Sequence, residues 1–581
     1  MVFLPPDRLN PALLARFARR RLAFNLADVV AVLLMVIMAV AVSRGAQQMN
    51  QPLSQLNIAP VTLDPARLPA YAVLTTLRMF AALFVSLLFT FTVATLAAKS
   101  RKAEMVIVPA LDILQSIPIL GFLTFTVTFF MNLIPGNELG VEGAAVFVIF
   151  TSQAWNMAFS FYQSLRTLPG DLDEVSRGFG LSTWQRFWKL ELPFAIPALV
   201  WNTMMSMSGA WFFVVASEAI TVGKTTVSLP GIGSWLALAI ERKDFKAVGW
   251  AVFAMGVVIL LYDQLLFRPI VAWADKFRFE QTASQDQPES WFYDLLTRTR
   301  LLRRVFGPLK LPFAALPKLP KVRLQPGPPL NPAVGQGLDI LWLGTVIVAV
   351  LWGFGAVIAY VRQTITLHDA LQVFGLGLLT LLRVVVLIAI ASAIWVPIGI
   401  WIGLRPKWSQ RIQPIAQFLA AFPANVLFPV AVVAIVRFGL DPNIWLSPLM
   451  ILGTQWYILF NVIAGASAIP NDLKEAADMF HVRHWQWWRD VALPGVFPFY
   501  VTGALTASGG SWNASIVAEV ASWGNTRLEA HGLGAYIADA TNAGDFPKVA
   551  LGIVVMSIFV ILLNRTLWRP LYGFAERRLR L

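Results

Sequence analysis

The chain has 581 residues, 57% of them hydrophobic and only 13% charged, with a mean hydropathy of +0.65, which excludes a soluble enzyme and implies a polytopic membrane protein. Lys and Arg exceed Asp and Glu by 46 − 32 = 14. This excess sits in loops beside apolar runs, so it fits the positive-inside rule and not nucleic-acid binding, and the lack of cysteine excludes disulfides and thiolate metal sites.

The chain opens with four arginines between Arg16 and Arg21, followed by an apolar run from about Asp28 to Val42. That run is long, and a comparable one opens the second half, so it reads as an uncleaved first span and not a removed signal peptide. Further first-half spans are expected near 70–97, 105–131, 142–167, 194–222 and 247–271, after a first at 25–43. Second-half spans are expected near 338–361, 372–404, 410–436, 444–468, 495–522 and 547–567, which makes six plus six. Ala98–Lys102, Lys276–Arg278, Arg405–Lys407, Arg577-Arg578 and two polar islands near Glu174 and Glu475 fall on one side with both termini, the cytoplasmic one. Arg44–Pro69 and Asn132–Val141, poor in Lys and Arg, fall on the other; the loop 223–246, with Lys224, Arg242, Lys243 and Lys246, departs from the bias. The expected domains are 1–272, a basic proline-rich cytoplasmic linker at 273–336, and 337–581. Within the linker, Leu295–Val305 has the makings of a short basic helix on anionic lipid, with a plain extended linker as the blander reading.

The two halves are an internal repeat. At an offset of 301, Trp155 meets Trp456, Pro197 meets Pro498, Trp211 meets Trp512, Glu218 meets Glu519, and Gly231-x-Gly233 meets Gly532-x-Gly534. Upstream the offset is 305, pairing Arg78 with Arg383, Pro109 with Pro414 and Pro118 with Pro423. An even number of spans per half makes the repeats parallel, related by an axis along the membrane normal, with a substrate path expected at their interface.

The islands are the pivot of the repeat. The first runs from Asp171 through Glu174, Arg177 and Gly180 to Leu192-Pro193; the second runs from Asp472 through Glu475-Ala476-Ala477 and His481 to Leu493-Pro494. Asp171 and Asp472 are expected as N-caps, with the glutamate three residues later closing a capping box. Gly180 supplies a left-handed stop, and His481 must adopt the same turn at some cost. Ser182-x-x-Gln185 restarts a helix with a second box.

These islands resemble the cytoplasmic coupling motif of binding-protein-dependent ABC importer permeases, which reads Glu-Ala-Ala, three residues, Gly, a spacer and hydrophobic-x-Leu-Pro. The second copy keeps Glu475-Ala476-Ala477 and Val491-x-Leu493-Pro494 without the glycine; the first keeps Glu174, Gly180 and Leu190-x-Leu192-Pro193, with Val175-Ser176 for the alanines. Gln115-Ser-Ile-Pro118 and the Gly-x-Gly segments are also similar to this family, and the whole resembles the fused permeases of the nitrate, sulfonate, taurine and bicarbonate type. The resemblance implies an all-α polytopic fold of two parallel six-helix permease repeats, about twelve transmembrane helices in a bacterial inner membrane. It further implies two ABC ATPase subunits on the cytoplasmic face, carrying the ATP and Mg that this chain has no cofactor site for, and a solute-binding protein on the outer face. The ATPase contact would fall on Glu174, Arg177, Gly180, Glu475, Ala476, Ala477 and His481. The substrate implied is a small inorganic or organic anion moved by alternating access, with a cation or neutral solute as the alternative.

Outside the islands, no nucleotide site is expected: Gly223-Lys224-Thr225 mimics the end of a phosphate loop, but Glu218 stands where its first glycine belongs. The Gly-x-Gly pairs read as tight turns in outer loops. Glu218 and Glu519 lie seven residues, two turns, beyond Trp211 and Trp512. They read either as groups at the outer mouth of a pathway or as inexpensive carboxylates among outer headgroups. Arg78 and Arg383 can present charge to an anion, snorkel, or pair with those glutamates. Ser206, Ser208, Asn513 and Ser515 offer uncharged hydrogen bonds or merely small helix contacts. His481 and His484 lack a third ligand for a metal. A secondary transporter would need a coupling-ion site and leaves the islands unexplained; a membrane enzyme would need a clustered catalytic set, and none is visible.

Overall fold

The computed structural model describes residues 26–49, 61–114, 123–222, 225–277, 290–299, 332–362, 365–467, 469 and 471–578. The arginine-rich start, Gln115–Pro118, Gly223-Lys224 and most of the 273–336 linker lie outside the described residues. Helices dominate because a chain in hydrocarbon must satisfy its backbone polar groups within each segment. Eight helices are long and apolar enough to cross a membrane: Pro65–Lys99, Glu138–Arg166, Thr183–Glu218, Phe245–Ala274, Ile340–Arg362, Leu367–Gly403, His484–Ala518 and Phe546–Ala575. The pair Pro442–Met450 and Gln455–Ser467, bent by 43°, makes a ninth.

Twelve continuous spans are therefore not what forms among the described residues. The opening segment is the helix Leu26–Met49, and the third segment of each half is broken. In the second half Pro406–Ala421 ends at Phe422 (φ −74°, ψ 123°), and Pro423 is also extended before the chain resumes as Phe428–Phe438. Proline disfavours helical geometry in the residue before it, which accounts for the break inside a run that is apolar throughout. The first half is split likewise into Arg101–Leu114 and Leu123–Leu133.

Counting the opening helix and the broken third segment, the fifth long helix of each half is Thr183–Glu218 or His484–Ala518, and it also stops earlier than its hydrophobicity suggests. After Glu218 the chain forms a hairpin, Ala219–Val222 antiparallel to Thr225–Ser228; after Glu519 nearby it forms Val520–Trp523 against Thr526–Glu529. In the first of these, runs of β-branched Ile, Thr and Val favour strand over helix. A short helix follows each hairpin, Ile232–Glu241 and Leu533–Ala543. The halves interlock here: Gly524 N–H donates to Ile240 C=O at 2.9 Å, and the Trp523 ring lies 4.2 Å from that of Phe245. The 301-residue register extends to backbone irregularities. Five-residue π-helical segments recur at Phe187–Glu191 and Trp488–Ala492, and again at Asp263–Phe267 and Asn564–Trp568.

Candidate functional site

The polar islands fold as helical elbows. The first carries Gly170–Gly178 and the second Asn471–Met479. The N-cap of the first helix falls two residues before the expected one. Pro169 (φ −56°, ψ 134°) is the N-cap, its carbonyl accepting from Leu172 and Asp173 N–H, and Asp171 lies in the first turn with no side-chain cap bond. Proline's fixed φ sets the helix start, and Asp171 there complements the helix dipole instead. The expected box at Ser182 and Gln185 does form.

Both elbows end in one geometry. Gly180 has φ 65° and His481 φ 53°, and each is followed by a residue bonding back to the helix, Leu181 to Ser176 and Val482 to Ala477. Histidine thus adopts a left-handed turn in which glycine carries no steric cost. Glu174, Arg177 and Gly180 are exposed, as are Glu475 and His481, whereas Ala476 is half-buried and Ala477 buried against the bundle. The outward faces are apolar: Val175 and Phe179 (80% exposed) on the first elbow, Met479, Phe480 (80%) and Trp485 on the second.

Behind the first elbow lies a chain of charges. Asp173 binds Arg177 and Arg186, each at 2.7 Å; Arg186 also binds Glu191 at 2.9 Å, and Glu191, buried at the base of the fifth long helix, binds Lys99. The elbow is thereby tied to the end of the helix Pro65–Lys99. The repeat positions in the second half are Lys474, Trp487, Ala492 and Leu404, and the last three pack in or against the hydrophobic core.

The second constellation joins the second and fifth long helices of each half. Arg78 is fully buried; its Nε and Nη2 each lie 2.6 Å from Glu142, and its Nη1 reaches Glu218 at 2.7 Å and the Pro230 carbonyl at 2.9 Å. Thr75 Oγ1 donates to Glu218 at 2.7 Å and accepts from Ile232 N–H. The other Glu218 oxygen accepts from Gly233 N–H at 2.6 Å, at the N-terminus of the short helix, where the dipole favours negative charge. A Cβ on Gly231 would strike the Glu218 carboxylate, and one on Gly233 would lie 2.6 Å from Val215 C=O. The Gly-x-Gly is therefore not a tight turn in an outer loop. It lets a helix start close against a buried carboxylate, which also removes Glu218 from any headgroup position.

The second half repeats the arrangement in reduced form. Thr380 donates to Glu519 at 2.8 Å, Arg383 Nη1 binds Glu519 at 3.0 Å, and Ala535 N–H completes the carboxylate. A Cβ on Gly532 would meet Glu519. The position of Glu142 at offset 301 is Asn443, whose side-chain oxygen accepts from His531 N–H. Glu142, Thr75 and Thr380 were absent from the sequence-based candidates. The threonines carried a signal, each standing three residues before its arginine at the same 305 offset.

Trp211 is buried, stacked on Tyr262 and donating to its hydroxyl at 3.0 Å; Trp512 is buried and stacked on Phe559. Asn513 donates to Gly509 C=O at 3.2 Å, and Ser206 Oγ is buried with no hydrogen-bond partner among the described residues. No group of three metal-ligating side chains occurs among the described residues.

Comparison with known proteins places these features in one family. The pattern described as "Binding-protein-dependent transport system inner membrane component" matches residues 86–268 and again 395–580. The chain is similar to the nitrate import permease protein NrtB of Leptolyngbya laminosa, 29% identical over 34% of this chain and 66% of that protein. It is similar to the bicarbonate transport system permease protein CmpB of Synechococcus elongatus, 28% identical over 32% of this chain and 64% of the relative. It also resembles the glycine betaine/proline betaine transport system permease protein ProW of Escherichia coli, 31% identical over 28% of this chain and 41% of that one. The match thus spans about two thirds of the nitrate and bicarbonate relatives. With both matched stretches containing an elbow, and together covering more than half its length, the chain belongs to the family of binding-protein-dependent transport system inner membrane components.

Proposed function

We propose that this chain is the permease of an ATP-driven importer, two permease halves fused in one polypeptide, moving a small anion by alternating access between them. The observation that carries the reading is the pair of exposed elbows. Phe179 and Phe480 stand at 80% exposure on short helices whose buried sides join the bundle. An apolar knob on a short helix suits a groove on a partner protein, and two such knobs call for two ATPase subunits. Rigid-body motion of those subunits would then pass into the long helices that the elbows connect. The ATPase contact includes Glu174, Arg177, Gly180, Glu475, Ala476, Ala477 and His481. ATP and Mg belong to the ATPases, and a solute-binding protein docks on the opposite, outer face. Both termini are cytoplasmic, and the domains are 1–272, the linker 273–336 and 337–581. The anion rests on the nitrate and bicarbonate permeases among the relatives. The betaine permeases among them favour a second reading, with a zwitterion as solute.

The test is uptake into vesicles holding this chain, its ATPase and its binding protein, offered labelled nitrate, bicarbonate, a sulfonate, betaine and a cation. ATP-dependent uptake of one anion, abolished by Glu174→Arg with Glu475→Arg, is the expected result. Uptake driven by an ion gradient with no ATPase present would overturn the reading.

A further inference from the structure

We infer that the hydroxyls of Tyr457 and Ser206 form a transient hydrogen-bonding station for a small oxyanion, set where the two halves meet inside the membrane. This rests on the anion-importer reading above and adds the residues that would touch the solute.

Tyr457 lies on the second-half helix Gln455–Ser467, and Ser206 and Gly209 on the first-half helix Leu192–Glu218. A Cβ on Gly209 would lie 2.8 Å from the Tyr457 hydroxyl, so this hydroxyl rests against bare backbone of the opposite half. Among the described residues it has no hydrogen-bond partner. Ser206 stands one turn before Gly209 and so shares its face. Its Oγ is buried and unpartnered. The neighbouring hydroxyls behave differently: Thr203, Ser208 and Ser217 each bond back to their own helix, at 2.8, 3.2 and 3.1 Å. Between these residues, Met205 packs on a second-half cluster of Ile402, Ala416, Leu459, Phe460 and Ile463, which fixes this stretch at the boundary between the halves.

Buried polar groups in proteins are nearly always paired, and the cost of leaving them unpaired rises in hydrocarbon. Ser206 Oγ is such a buried, unpaired group, and the Tyr457 hydroxyl beside it sits on a half-buried side chain; at a boundary that must open to pass solute, both are explained if a solute completes them. Both can donate, which suits a solute rich in acceptor oxygens. Neither of these two helices carries a lysine or arginine, and the arginines of the second spans are already engaged, Arg78 with two carboxylates and Arg383 with Glu519. A station of neutral donors holds an anion long enough to desolvate it and weakly enough to release it. The station exists once: the repeat positions of Tyr457 and Ser206 are Asn156 and Ala507.

The experiment uses the full chain with its ATPase and binding protein in proteoliposomes, recording uptake of labelled nitrate and bicarbonate and ATP hydrolysis separately. Tyr457→Phe removes one hydroxyl and keeps the ring; Ser206→Ala removes the other. Each variant is expected to slow anion uptake about ten-fold, the loss of one hydrogen bond to a charged group, while ATP hydrolysis stays within about two-fold. ATP consumed per anion therefore rises. Uptake at the wild-type rate in both variants overturns the station, as does a proportional fall of uptake and hydrolysis together, which marks a structural role. If the wild-type protein moves neither anion, the anion reading itself fails, and the station's ligand with it.

Discussion

Replacing Arg78 with methionine strands two carboxylates at once. Glu142 and Glu218 lie 2.6 and 2.7 Å from this guanidinium, and all three side chains are at most 5% exposed. Removing one partner of a buried ion pair costs about 3–5 kcal/mol, because an uncompensated charge remains. Arg383→Met offers a built-in comparison. It strands one buried carboxylate, Glu519, in place of two, and Arg383 itself is 13% exposed, so its loss falls at the lower end of that range, about 3 kcal/mol. Thermal unfolding of the detergent-purified protein should therefore show Arg78→Met melting well below Arg383→Met, with wild type highest. The triple variant Arg78→Met, Glu142→Gln, Glu218→Gln should recover part of the loss, since neither position 142 nor position 218 then holds a buried charge without its arginine. Equal melting points for the two arginine variants, or no recovery in the triple variant, would refute the account of Arg78 as the cation of a buried cluster.

Gly231→Ala and Gly532→Ala place a methyl on the glutamate carboxylate, so each should destabilise by about 1–3 kcal/mol, read as a lower melting temperature and yield. Phe179→Asp and Phe480→Asp change exposed residues, so folding is retained and co-purification of the ATPase falls; a folded variant retaining the full complement of ATPase would count against the elbows as docking sites. Glu191→Gln loosens Lys99 and Arg186 from the base of the fifth long helix, and should lower uptake per ATP hydrolysed with ATPase binding intact.

The repeat was readable because substitution had left its landmarks in register: Trp211 with Trp512, Glu218 with Glu519, and the two Gly-x-Gly pairs all stand at one offset. The pairing of arginine with glutamate followed as one of three options, and the Arg78–Glu218 contact at 2.7 Å shows which one folding selected. Glu142 was not legible. It opens an apolar run, has Asn443 at its repeat position, and nothing local says that a guanidinium 64 residues away will reach it. The broken third segments were hidden for another reason. Hydropathy sums over a window and passes smoothly through Phe422-Pro423, while the break depends on backbone sterics at two residues. Tyr457 escaped notice because its meaning lies in Gly209, which belongs to the other half.

The ionic tie behind the first elbow carries a consequence for how such a chain can change over generations. In a permease assembled from two copies of one polypeptide, two-fold symmetry forces every residue to appear on both sides, so a mutation acts twice or not at all. Fusion lifts that constraint. Lys99, Arg186 and Glu191 can persist on one side while Leu404, Trp487 and Ala492 occupy the other, and each side is free to specialise. One elbow is then braced by ion pairs and the other by apolar packing, a difference that a symmetric pair has no way to inherit.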